Sequence, residues 1–283
     1  MSDRPSADPR PGEYVLRIPV PVAELDPFGE LRPSAYIRLL QLAASEASAA
    51  AGHDAGWYAR KGTTWIVRRT RFEQDGPARQ GDELRIRTWV SDIRRVRSWR
   101  RYEIEHAGDG RAVARAATDW VYVNSANGAP TAMTDELQRA FMPGGVITEG
   151  RPPRLPSPTD PIELPLRQVE LGDLDSLGHV NNANYITFVQ QALLEDLQRR
   201  EWIPEFDRPE GGHLRVRSLE IEYLAQAVYR DRLTARIATA ATSESTLRAE
   251  VELLAEKTAA AVAVIECEWS DGPFPAALRT VFD

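Results

Sequence analysis

With 283 residues the chain has room for two compact units, each able to bury a core of its own. Apolar residues make up 42% and charged residues 27%, a globular balance that excludes a disordered chain. A formal net charge of -7 excludes general nucleic-acid binding, and no apolar run is long enough for a membrane span, so neither partner is expected.

Residues 1–12, MSDRPSADPRPG, lack the apolar stretch of a signal peptide and are expected to form a disordered tail. A first domain is expected over 13–142. It opens with a short strand over 14–20, a Gly-containing turn and a helix of about five turns over 33–50. Strands follow over 63–72, 83–90, 99–106 and 111–123, where β-branched and aromatic residues recur at period two in places. Arg94, Arg95, Arg97, Arg100 and Arg101 crowd the turn between two of these strands in an otherwise acidic protein. Such a patch, through Arg94, Arg95 and Arg97, can grip phosphate or an acidic carrier-protein helix. It can equally be a solvated hairpin whose charges blunt a sheet edge.

Residues 143–161 read as a Pro-rich linker, because Pro143-Gly144-Gly145 and then RPPRLPSPTDP can continue neither a helix nor a central strand. The second domain, expected over 162–283, repeats the scheme. Its strand lies at 164–171, its helix at 181–200, and further strands at 213–223, 232–240, 246–254 and 259–269. One long helix followed by antiparallel strands is an α+β layout, and a sheet curled around the helix buries the apolar faces of both. Cys267, the only cysteine, alternates onto the apolar face of the last strand and is expected to be a buried structural thiol. With no internal disulfide possible, a reducing cytoplasm is the expected compartment.

The two halves are one pattern written twice. Asp26 and Asp175 stand 149 positions apart (175 − 26), and the same offset pairs Gly29 with Gly178, Tyr36 with Tyr185, Gln41 with Gln190, Ala43 with Ala192 and Glu46 with Glu195. Register persists as far as Ala78, Asp82 and Leu84, which fall on Ala227, Asp231 and Leu233. A period this long marks two whole domains rather than a solenoid unit.

The stretch from Asp173 to Tyr185, DLDSLGHVNNANY, gathers two carboxylates, an imidazole and three amides beside a helix start. Thioester hydrolysis needs a base or nucleophile, a group to orient water or substrate, and donors for the developing oxyanion. Asp175 and His179 suit the first two needs, and the free N–H groups of a helix N-terminus suit the third. Asn181 and Asn182 are also ordinary N-cap residues, Gly178 an ordinary turn residue, and Asp173 is expected to be solvated or turn-forming. His53, His106 and His213 lack comparable neighbours, and surface or packing roles are expected for them. No metal cluster, phosphate loop or Ser-centred motif is visible, so no metal or cofactor is implied.

In the run from Asp175 to Tyr185, with its GHVNN text, and more loosely over 13–283, the sequence resembles the tandem-hotdog acyl-ACP thioesterases of the hotdog superfamily. The resemblance implies two fused hotdog domains, each a sheet wrapped around a central helix, with paired hotdogs as the working unit. It implies Asp175 as catalytic base or nucleophile, His179 as its polar partner and Asn181 as a group holding the loop or substrate, with Asn182 in support. Two positions depart from the plant enzymes: Leu177 stands where they carry Asn, and Gln226-Ala227 where they carry Glu-Cys, so Gln226 is the residue left to orient a water.

The first half keeps Asp26 but replaces the imidazole and both amides with Glu30-Leu31-Arg32-Pro33. One working site is therefore expected. The first half is expected to bind the acyl chain, with Tyr36 and Trp65 as lining residues and Tyr185 beside them from the second, core packing being an equal alternative for Trp65. The expected substrate is a fatty or polyketide acyl group on acyl carrier protein or coenzyme A. The fused pair is expected as a monomeric pseudo-dimer or a homodimer. A hotdog dehydratase or hydratase and a non-catalytic acyl-thioester-binding protein remain open alternatives.

Overall fold

The computed structural model describes residues 10, 12–142, 152–204 and 212–282. Most of the expected tail, and residues 143–151 of the expected linker, lie outside these; residues 152–161 form neither helix nor strand. The first half holds β1 (Tyr14–Pro19), α1 (Pro33–Ala50), α2 (Ala55–Lys61), β2 (Thr63–Gln74), β3 (Glu83–Arg94), β4 (Arg97–His106), β5 (Ala112–Asn124) and α3 (Asp135–Phe141). The second holds β6 (Ile162–Gln168), α4 (Asn182–Arg199), β7 (Leu214–Tyr223), β8 (Arg232–Ala241), β9 (Thr246–Ala255), β10 (Thr258–Trp269) and α5 (Ala276–Arg279).

All ten strands join one antiparallel sheet in the order β1-β3-β4-β5-β2-β7-β10-β9-β8-β6. Each strand of one half has its counterpart in the other, so the order reads the same from both ends and the pseudo-two-fold passes between β2 and β7. That junction pairs Arg69 with Glu222, Thr70 with Ile221, Arg71 with Glu220 and Phe72 with Leu219. Arg69, only 4% exposed, donates to Glu220 at 2.8 Å and to Glu222 at 2.9 Å, so the charge buried at the junction is fully matched.

The helices form where the apolar spacing requires them. In α1 the buried positions Tyr36, Leu39, Leu40, Ala43 and Ala47 recur at three and four, and in α4 Ile186, Val189, Leu193 and Leu197 do the same. Each stripe packs into a single core with the inner face of the sheet, where every fully buried Leu, Ile or Phe contributes about 1.5–3 kcal/mol. The two helices lie against each other, joined by a hydrogen bond from Arg38 Nη2 to Asn184 Oδ1 at 2.8 Å. This is the expected α+β arrangement, with each half of the one sheet wrapped on its own helix.

The short helices α2 and α3 were not among the expected elements. At seven residues each they carry too little periodicity to be read, although Asp54 and Thr134 cap them by accepting the N–H groups of Trp57 and Leu137. They matter because they wall the site described next. Among the described residues no helix is long and apolar enough to cross a membrane.

Candidate active site

The loop before α4 is built by its own backbone. Gly178, at φ +77, takes the left-handed conformation that closes the turn, with its N–H on the Asp175 carbonyl at 3.0 Å. Asp175 N–H bonds the His179 carbonyl at 2.8 Å, and Asp175 Oδ1 accepts the Leu177 N–H at 2.8 Å. Val180 N–H reaches the Ala227 carbonyl at 3.0 Å, and the Tyr185 hydroxyl accepts the Ala227 N–H at 3.0 Å. These bonds fasten the 225–228 turn to the loop and set Gln226 beside His179.

Both residues open onto a cavity of about 920 Å³, a volume typical of small-molecule sites. Its walls come from the first half: Ala44 and Ser48 of α1, Tyr58 of α2, Trp65 of β2, Trp120 of β5 and Phe141 of α3. Leu177, His179 and Gln226 are the second half's contribution. His179 Nδ1 is buried without a hydrogen-bond partner among the described residues, which leaves Nε2 as the ring nitrogen that the cavity can reach.

Trp65 lies on the cavity wall, where it also packs on Tyr122 with ring centroids 5.0 Å apart, and three other sequence-predicted positions fall elsewhere. Tyr36 is fully buried and packs on Phe72 with ring centroids 5.1 Å apart, so it belongs to the core and not to the cavity. Tyr185, 3% exposed, spends its hydroxyl on the Ala227 N–H and braces the loop rather than lining the cavity. The first turn of α4 does not line the cavity either. Asn181 Oδ1 and its carbonyl hold the N–H groups of Ala183 and Asn184, and the Asn182 carbonyl accepts from the Tyr223 hydroxyl.

Asp175 is half-buried and stands outside the cavity lining; its Oδ2 has no partner among the described residues. Asp173, expected to be solvated or turn-forming, does form the turn, accepting the Glu170 N–H at 2.8 Å, but it is 6% exposed and gripped by Arg167 at 2.6 and 2.7 Å. Burial alone would raise its pKa, but the Arg167 bonds and the Glu170 N–H outweigh that and hold it below the usual carboxylate range. In the arginine hairpin, Arg94 pairs with buried Asp92 and Arg97 with buried Asp119, so of the three expected carrier contacts only Arg95 projects as an exposed charge without an ion pair among the described residues.

The equivalent position in the first half is filled by an ion-pair cluster. The loop has the same turn, but Phe28 replaces Leu177 and Glu30 replaces His179. Glu30, 3% exposed, accepts from Arg215 at 2.6 and 2.8 Å and from Arg79 at 2.7 Å, and lies 3.4 Å from His213 Nε2. Burial would raise its pKa, yet His213 and Arg215 beside it hold the carboxyl at about 2. His213, stacked on Phe28 at 4.1 Å, therefore has a rich set of neighbours that the sequence did not disclose. A second cavity of about 700 Å³ adjoins this cluster, with Asp26, His213, Gln190 and Gln191 on its lining, but His213 there is engaged with Glu30 and Phe28.

Sequence reasoning also missed Arg100 and His53. Both are buried and line the larger cavity. Alternation along β4, which puts Arg100 on the face of Tyr102 and Ile104, was the available signal for the first.

The chain matches the family model of the acyl-ACP thioesterase N-terminal domain over residues 13–141 and that of the thioesterase-like superfamily over 169–272. The oleoyl-acyl carrier protein thioesterase 2 of Arabidopsis thaliana is 24% identical over 148 residues, taking in 47% of this chain and 39% of the relative. The match therefore spans well under half the length of that curated relative. A solved acyl-ACP thioesterase from Bacteroides thetaiotaomicron superimposes with a TM-score of 0.68 at 18% identity, over 92% of this chain and 98% of the other. The 12:0-ACP thioesterase of Umbellularia californica gives 0.68 at 18% identity, over 93% and 95%. At such identities the superpositions establish the fold, which is the double hotdog. The first half thus matches an acyl-ACP thioesterase domain and the second a thioesterase-like domain, on a sheet that those solved acyl-ACP thioesterases share.

Proposed function

We propose that the chain hydrolyses acyl thioesters carried on acyl carrier protein or coenzyme A, releasing a free acid and a thiol. One observation carries the reading: a cavity walled by the first half ends on His179 and Gln226 of the second, so an acyl tail and its thioester have separate places to lie. The tail is held between α1, α2 and β2, and the thioester carbonyl comes to the second-half wall. There Gln226 and the reachable nitrogen of His179 orient carbonyl and water. Asp175 stands outside the lining with its Oδ2 uncommitted, and takes the proton through one bridging water as water adds to the carbonyl carbon. The C–S bond then breaks, and the departing thiolate recovers the proton.

Cys267 does not compete for the role of nucleophile, because burial pushes its thiol up to about 12 and leaves almost no thiolate at neutral pH. A single buried thiol also suits a reducing compartment, and we place the protein in the cytoplasm on that ground. The test is a panel of acyl-ACP and acyl-CoA thioesters assayed for thiol release. Steady release at many turnovers per chain is expected. A hydrated or dehydrated acyl group still attached to its carrier, or tight binding with no thiol released, would refute the hydrolase.

A further inference from the structure

The same cavity carries a charge that hydrolysis itself does not use. Arg100 rises from an inner-face position of β4, is 6% exposed, and lines the cavity. Its Nη1 donates to Thr88 Oγ1 at 3.3 Å, and its Cζ lies 5.7 Å from the centroid of Phe141. Among the described residues no carboxylate pairs with it. Burial lowers its pKa, and only the neighbouring Tyr102 and Tyr58 act against that. Arg69, buried to the same degree, makes the contrast, since two glutamates match it.

A guanidinium has five N–H donors and keeps its charge in proteins, so one bond to a threonine leaves most of its capacity unspent. The donors that lack a partner are not sealed in protein, since no Arg100 nitrogen is among the buried unpartnered atoms; the space they meet is the cavity. His53 lies on the same wall: it is 5% exposed and lines the cavity, its Nδ1 is sealed without a partner, its Nε2 lies 4.0 Å from Glu136 Oε1, and its ring lies 5.8 Å from Phe141, the ring that Arg100 also covers. Arg100 and His53 thus both lie beside Phe141 on one stretch of the first-half wall, whereas the thioester is proposed to lie at residues of the second half.

We propose that this stretch of wall is a subsite for a carboxylate at the far end of the acyl chain, so that the preferred substrates are thioesters of dicarboxylic acids. The inference rests on the thioesterase reading and narrows its substrate. A methyl end would press hydrocarbon against a guanidinium and strip it of water with nothing in return. A hydroxyl or keto end would offer hydrogen bonds but leave the charge unmatched. A carboxylate supplies both, through paired N–H bonds of the kind Arg69 already makes at the sheet junction.

Thiol release is compared for three thioesters of one chain length on one carrier, ending in methyl, hydroxyl or carboxylate. In the wild-type protein the carboxylate-ended substrate is expected to exceed the methyl-ended one in kcat/KM by about tenfold or more, the scale of one charge-assisted pair. Arg100→Met is expected to reverse that ratio, and Arg100→Lys to retain part of it. A wild-type protein that favours the methyl or hydroxyl end overturns the subsite, whether or not the variants fold. Calorimetry with a free dicarboxylic acid and the matching monocarboxylic acid separates the two readings without turnover. If no thioester is cleaved but the dicarboxylic acid binds about tenfold more tightly to wild type than to Arg100→Met, the subsite stands and the hydrolase fails. Thiol release with no preference between ends sinks the subsite alone.

Discussion

In both halves an aspartate accepts the N–H two residues further on, Phe28 to Asp26 at 2.9 Å and Leu177 to Asp175 at 2.8 Å, and a left-handed glycine closes the turn. This shared scaffolding role means that an alanine at Asp175 would confuse a broken loop with broken chemistry. Asn is the better probe, because its Oδ1 still accepts the Leu177 N–H while the carboxylate is gone. Asp175→Asn is expected to lower kcat by about 10²–10⁴-fold with little change in thermal midpoint, the range of a lost acid–base group. Asp26→Asn is expected to keep kcat/KM within about twofold, since the proposed reading places the chemistry in the second half, where His179 stands in place of Glu30. Steady-state kinetics on the two variants, with melting curves alongside, decide the matter; matched losses would abolish the one-site model. The loop was legible in the sequence because its turn, imidazole and cap are local. Arg100, His53 and His213 were not, since their meaning comes from partners more than 40 positions away: Phe141 beside Arg100 and His53, Glu30 beside His213.

At the scale of elements, the Glu30 cluster ties the loop before α1 to β7 of the other half through Arg215. Because the folded pKa lies at about 2, below that of an unfolded glutamate, the cluster's contribution is complete above about pH 4.5. It drains away as pH falls from there toward 2, and about 3 kcal/mol is at stake. Urea midpoints measured from pH 6 to 2 are expected to fall steeply in that window. Glu30→Gln is expected to be less stable at neutral pH by a similar amount, because Arg215 is left without its carboxylate, and to show a flatter acid arm. An acid arm unchanged by the substitution would show that other carboxylates set it. The elements themselves were read well where periodicity was long. The helix expected over 33–50 is α1, that expected over 181–200 is α4 with Asn181 as its cap, and all ten strands were anticipated. What escaped were α2 and α3, short helices whose capping residues look like any turn, and with them most of one cavity wall.

For the whole molecule, the register of β2 on β7 decides the assembly. Hotdogs work in pairs, and here the pairing is internal: Phe72, Leu219 and Ile221, each at most 1% exposed, fill the junction within one chain. A second copy could extend the sheet only at its ends. There β1 is six residues long and closes on Pro19, while β6 contains Pro165 and loses register between Pro165 and Gln168. Proline withholds an N–H and an irregular strand offers no continuous ladder, so both edges resist addition of another strand. The cavity is also lined by the two halves of a single chain, so in the proposed reading a partner copy is not needed to complete it. Sedimentation equilibrium in the micromolar range is therefore expected to return the 31.6 kDa monomer, with turnover per chain independent of protein concentration. A dimer whose dissociation on dilution removed activity would mean that the cleft between the halves is not the whole site.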